Sequence, residues 1–171
     1  SAGRPADPIS GSALPPDPAL RAADWAPKFL DSHQSATLEA FAGTVIPTTD
    51  TPGASDAQVH RFLDFLMNDE AEETRRRFVQ ALSGLDAHCL NCFQTPFVRL
   101  SGKKQFEVLS ALAEADSRTS SDPAVQHFAH LKGWVVRVFY KSEAGYKALG
   151  FEGEYFHSEY PHCPDPDEHK A

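Results

Sequence analysis

The chain has 171 residues, 41% hydrophobic and 23% charged, a size and balance that support one globular domain with its own core. Its formal net charge of −8 argues against recognition of a phosphate backbone, which needs clustered Lys and Arg. No apolar run approaches the roughly 18 residues that a membrane span requires.

The chain opens Ser1-Ala2-Gly3 without Met, as expected of a processed or a trimmed protein. Residues 1–29 hold Pro5, Pro8, Pro15, Pro16, Pro18 and Pro27. Proline removes backbone donors and blocks helix, so this segment is expected to be an extended arm, with Trp25, Phe29 and Leu30 able to dock its end on a surface. Leu38, Phe41, Ala42, Val45 and Ile46 then follow the spacing of one apolar helical stripe, with Asp31 or Ser32 as cap and Pro47 as stop. Thr48 to Ala54 is rich in turn formers. Val59, Phe62, Leu63, Leu66 and Met67 predict a second helix. Phe78, Leu82, Leu85 and Cys89 predict a third. Within it, Glu72–Arg76 and Glu73–Arg77 are i,i+4 pairs, so the Arg75-Arg76-Arg77 run reads as a solvated face.

A fourth helix is expected to start near Ser101 and bury Phe106, Leu109, Leu112 and Ala113. The fifth opens with Asp122-Pro123, an N-cap followed by proline at the first helical position. Its apolar residues, from Val125 to Phe139, cover most of its circumference, which predicts the central, most buried helix. Beyond it, Ser142, Glu143, Gly145 and Tyr146 lead to a glycine stop at Gly150, a glycine-punctuated aromatic surface suited to gripping another protein. Residues 151–171 have no helical period and read as an irregular tail lying on the body or on a partner. No run alternates as a strand would. The expected fold is all-α: an irregular bundle of five or six helices over 30–150, with the arm 1–29 before it and the tail 151–171 after it.

Candidate chemistry is sparse. His88-Cys89-Leu90-Asn91-Cys92 contains a CxxC, but Phe93 stands where a c-type haem site needs histidine, and no second CxxC completes a structural zinc. Three cysteines allow one bridge and one spare thiol. Cys89 and Cys92 therefore read as partners for a disulfide to Cys163, as free or core thiols, or as metal or redox ligands. His157, His162, Cys163, Asp165, Asp167, Glu168 and His169 are rich in ligand atoms but match no metal spacing. His127 and His130 lack an evident third ligand. No dinucleotide fingerprint, phosphate loop or nucleophile elbow is present, so no catalytic residue, cofactor-binding residue or metal ligand is assigned.

Three segments carry a family likeness: Leu38-Glu-Ala-Phe-Ala-Gly-Thr-Val-Ile-Pro-Thr-Thr-Asp-Thr-Pro-Gly-Ala54, Val59-His-Arg-Phe-Leu-Asp64, and Phe139-Tyr-Lys-Ser-Glu-Ala-Gly-Tyr-Lys-Ala-Leu-Gly-Phe151. Together they resemble the gluconate 2-dehydrogenase subunit 3 family, and Tyr160-Pro-His-Cys163 is similar to that family's closing Phe-Pro-Gly-Cys. The CxxC and the long proline-rich arm depart from the family pattern. The resemblance implies a small, non-catalytic subunit without a cofactor of its own. Its partner would be a large FAD-bearing flavoprotein of the glucose–methanol–choline type that oxidises a sugar or sugar acid. A cytochrome c subunit carrying haem often completes such complexes. The resemblance also implies a periplasmic location, reached by twin-arginine co-export of the folded flavoprotein. The alternatives are a stand-alone secreted metal or redox protein and an adaptor for a non-enzyme partner.

Two further expectations concern sites. Cys163 is expected to pair with Cys89 or Cys92 and pin the tail to the third helix. Trp25, Tyr146, Phe151, Tyr155, Phe156 and Tyr160 are expected to contact the partner, because aromatic side chains bury large area at small entropic cost.

Overall fold

A computed structural model of the chain describes residues 18–115 and 117–150. These residues are all-α, in six helices: α1 Ser32–Val45, α2 Val59–Asp69, α3 Glu72–Phe93, α4 Gly102–Glu114, α5 Pro123–Phe139 and α6 Glu143–Ala148. Short 3-10 turns at Pro18–Arg21 and Phe97–Arg99 complete the regular structure. Local chemistry sets the boundaries. Asp31 accepts from the Gln34 backbone N–H at 2.7 Å, while the Gln34 side chain accepts from the Asp31 N–H at 3.1 Å, a reciprocal cap. Asp122 accepts from the Ala124 N–H at 2.9 Å, and Pro123 occupies the first turn of α5, where no donor is needed. Ser101 and Ser142 cap α4 and α6 in the same manner.

α5 is the axis of the bundle and touches α1, α2, α3 and α4. Val125, Phe128, Leu131, Val135, Val138 and Phe139 are buried along it, while Gln126, Lys132, Gly133 and Arg137 leave it a solvent face. Phe41 of α1 meets the rings of Phe97 and Phe128 at 6.4 and 6.0 Å. α3 and α5 approach so closely that a Cβ on Gly84 would lie 1.9 Å from His127 Nδ1. Asp86 ties three elements together: His33 Nε2 of α1 lies 2.6 Å from its carboxylate, which also accepts from the Phe97 N–H at 2.9 Å.

The sequence-derived stripe of α4 is out of phase. Phe106 is 63% exposed and Ala113 is exposed, whereas Gln105, Val108, Leu109 and Leu112 are buried. The Gln105 amide donates to the Phe97 carbonyl at 3.0 Å, and this satisfies a polar residue that lies in phase with the buried face, while Phe106 falls outside it. The basic run also pairs differently. Arg76 meets Glu73 at 2.8 Å, an i,i+3 contact, and Arg75 lies 4.8 Å over the ring of Phe29.

Residues 18–29 lie against the bundle, with Trp25 and Phe29 among the side chains that dock them. They begin with a 3-10 turn and dock on the chain's own α2. The tail 151–171 and the rest of the arm lie outside the described residues.

The turn into α6 leaves no room at Gly145, where a Cβ would stand 2.1 Å from the Phe139 carbonyl oxygen and 2.7 Å from Tyr140 Cα. Both obstacles are backbone, so neither can swing aside. Gly145→Ala should therefore destabilise the chain by about 1–3 kcal/mol despite alanine's better helix propensity. Denaturant unfolding measures this, and an unchanged or raised midpoint would show that α6 can shift at no cost.

Candidate functional site

The polar residues of the Val59–Asp64 segment all face residues 20–30 of the same chain. α2 turns Val59, Leu63 and Met67 into the core, and His60 and Asp64 are buried on the same side. A buried carboxylate must be hydrogen-bonded to remain charged at tolerable cost. Asp64, 1% exposed, accepts from the backbone N–H groups of Lys28, Phe29 and Leu30 at 2.7, 3.1 and 2.8 Å. Arg61 answers from the donor side, giving Nη1 to the carbonyls of Leu20 and Ala22 at 2.9 and 3.1 Å. Its guanidinium also lies 4.8 Å from the centre of the Trp25 ring, and Trp25 stands edge-on to His60 at 5.9 Å. A segment without helix or sheet partners of its own thus finds its backbone partners on one helix face.

The loop between α1 and α2 is closed just as tightly. Asp56 accepts from the Thr48 hydroxyl at 2.5 Å and from the Gly53 N–H at 2.8 Å, and these bonds hold its carboxyl below the usual carboxylate range. A Cβ on Gly53 would lie 2.5 Å from Thr48 N, so only glycine fits there. Gln58, at φ 52°, makes the left-handed step that launches α2.

Docked segment, loop and α6 enclose an open groove of about 550 Å³. Leu20 and Arg21 of the first 3-10 turn form one wall. Pro52, Asp56, Ala57 and Gln58 of the loop, with Phe62 of α2, form the second. Val138 at the end of α5, Lys141 and Ser142, and Glu143, Ala144 and Lys147 of α6 form the third. All three segments that carry the family likeness contribute to this groove: Pro52 from the first, Phe62 from the second, and Lys141 to Lys147 from the third.

Other sequence candidates are distributed as follows. Trp25 is half-buried against α2 of its own chain, and Tyr146 is exposed on α6. Phe151, Tyr155, Phe156, Tyr160 and Cys163 lie outside the described residues, as do His157, His162 and His169. No bridge joins Cys89 to Cys92, and the expected pairing of either with Cys163 falls outside the described residues. Burial pushes the Cys89 thiol up to about 11, with Asp86 nearby acting in the same direction, whereas Cys92 is exposed. His127 packs over Gly84, and burial together with Arg77 holds His130 below its ordinary range. Among the described residues no three His, Cys, Asp or Glu side chains converge as a metal site would require, and no helix is long and apolar enough to cross a membrane. Arg61, Asp64 and Asp56, which hold the groove's walls in place, are positions that periodicity did not single out. Their signal was available, since His60 and Asp64 are polar residues in phase with the buried Val59, Leu63 and Met67.

Fold and groove together define a helical protein whose distinctive feature is a surface assembled from remote segments. The family model described as gluconate 2-dehydrogenase subunit 3 matches residues 32–153, well over half of the chain, and the chain belongs to that family. The family places it as an accessory subunit of a dehydrogenase complex. No curated protein and no solved structure matches it significantly.

Three outcomes follow from this geometry. Asp64→Ala leaves three buried or half-buried N–H groups without their acceptor. At about 1 kcal/mol or more for each, denaturant unfolding should show a loss of about 3 kcal/mol, and limited proteolysis should begin to cut within residues 20–30. Full protection of that stretch in the variant would refute the clamp.

The second outcome concerns pH. Burial, foremost, and the neighbouring Arg61 lower the His60 pKa, while Glu39 and Asp64 pull it up. The folded chain thus declines a proton that the unfolded chain accepts near 6.5, so stability should fall as pH drops below that value and continue falling toward the folded-state pKa. His60→Gln should flatten the slope of unfolding free energy between pH 7.5 and 5.5, and an identical slope would assign the effect elsewhere.

The third concerns the thiols. In the reduced chain, iodoacetamide at mild alkaline pH should alkylate Cys92 well before Cys89, because Cys89 is both buried and largely protonated there. Peptide mapping reads the order, and equal rates would contradict the burial of Cys89.

Proposed function

We propose that this chain is the non-catalytic small subunit of a periplasmic FAD-dependent dehydrogenase of the glucose–methanol–choline type, acting on a sugar or sugar acid. In this reading the large subunit holds FAD and performs the oxidation, and a cytochrome c subunit takes the electrons onward through haem. The small subunit stabilises the flavoprotein and accompanies it through twin-arginine export. The observation that carries the reading is the family match across the whole helical body, residues 32–153. The described structure supports it in a second way. Its distinctive feature is an open groove bounded by a clamped N-terminal segment, a rigid loop and α6, and exposed surface of this kind serves contact with another protein.

The test is co-expression with the flavoprotein subunit, followed by purification through a tag on this chain. A yellow, FAD-bearing large subunit should copurify, and the flavoprotein should be less soluble and less abundant outside the cytoplasm when this chain is omitted. Stoichiometric flavin in the chain purified alone, or a flavoprotein that is exported and stable without it, would overturn the proposal. A firmly bound metal in the lone chain would instead favour the stand-alone redox reading.

A further inference from the structure

The groove beside α6 has a chemistry that specifies its occupant. Its floor is apolar, built by Leu20, Ala57, Phe62, Val138 and Ala144. Beside it on α2, Phe65 is 43% exposed and stands 6.4 Å from the groove's Phe62, ring to ring.

The charge of the groove runs against that of the chain. A protein of net charge −8 here presents Arg21, Lys141 and Lys147 against Asp56 and Glu143. Glu143 pairs with Lys147 at 2.7 Å, with Arg21 close enough to act on it, while Asp56 keeps its negative charge among neutral donors, so three cations against two carboxylates leave one positive charge in excess. Lys141 is exposed and has no ion pair among the described residues. The charge left uncompensated is therefore positive. A groove of about 550 Å³ accommodates one or two large side chains.

We propose that this groove is the docking site for a segment of the dehydrogenase's catalytic subunit that inserts a large apolar side chain between α2 and α6 and sets an Asp or Glu against Lys141. The inference rests on the accessory-subunit reading above and assigns that contact to a place. It also gives the N-terminal clamp a purpose. Arg61 and Asp64 hold residues 20–30 so that Leu20 and Arg21 stand as a wall of the groove.

The experiment uses the full chain in complex with the flavoprotein. A photoreactive benzoylphenylalanine in place of Phe65 is irradiated in the complex, and the cross-linked peptide is identified by mass spectrometry. In parallel, Lys141→Glu and Ala57→Trp are compared with the unaltered chain for affinity, with Phe106→Ala on α4 as a control outside the groove. A cross-link to an acidic, apolar segment of the flavoprotein is expected. Each groove variant should lose about tenfold or more in affinity, with Lys141→Glu also weakening the salt dependence and Phe106→Ala having no effect. Circular dichroism and the unfolding midpoint establish that the variants remain folded, and the cross-link decides the matter if one does not. A cross-link to residues 151–171 of the same chain, or to a second copy, would overturn the proposal. So would groove variants that bind as tightly as the unaltered chain. If the unaltered chain itself fails to bind any flavoprotein, the accessory-subunit reading falls; if it binds and the groove variants bind equally, only the placement falls.

Discussion

One buried carboxylate organises the functional end of this protein. Asp64 sits on the core side of α2 and is held there by three backbone N–H groups from the segment leading into α1. The dependence runs both ways. Without those donors a charge at this depth would be prohibitive, and without the carboxylate the segment's donors would have no acceptor. Arg61 and Trp25 extend the arrangement outward, so that the chain entering α1 is fixed over more than ten residues by side chains from little more than one turn of helix. The groove inherits its first wall from this arrangement and its second from the Thr48–Asp56–Gly53 closure of the following loop.

The remainder of the body is the platform for that end. α5 passes through the middle of the bundle, and its last turns deliver Val138 and Phe139 to the base of α6. Two glycines set how closely elements approach. Gly84 lets α3 accept the ring of His127, and Gly145 lets α6 fold back onto the end of α5. In both places the spacing leaves no volume for a methyl group, so the relative placement of α5 and α6 is fixed by steric exclusion as well as by apolar contact.

What could be read from the sequence divides along local and non-local lines. Helix starts at Asp31, Ser101 and Asp122 were legible because a cap is a contact between residues two or three apart, whereas the short α6 after Ser142 was not read as a helix. The buried stripes of α2, α3 and α5 were legible from spacing alone. α4 was misread because Val108, Leu109 and Leu112 set its buried face, Gln105 lies in phase with them and is satisfied by the Phe97 carbonyl of a different element, and Phe106 falls outside that face. The path of residues 18–29 was legible only in part: Trp25, Phe29 and Leu30 marked an end able to dock. Proline content forbids helix but does not reveal that α2 offers donors and acceptors to an otherwise unpaired backbone. The groove could not be assembled from spacing, since its first and third walls are separated by more than a hundred residues and only the fold unites them.

That separation also bears on when the groove can exist. Each helix has the material for its own formation close at hand, and α-rich bundles assemble quickly from such local contacts. The wall at Leu20 and the wall at Lys147 come from opposite ends of the described chain. During synthesis from the N-terminus, the first wall waits, incomplete, until α6 has left the ribosome and closed against α5. A protein that recognises the finished groove therefore reads completion of the whole bundle, and an unfinished or misfolded copy offers it nothing to hold.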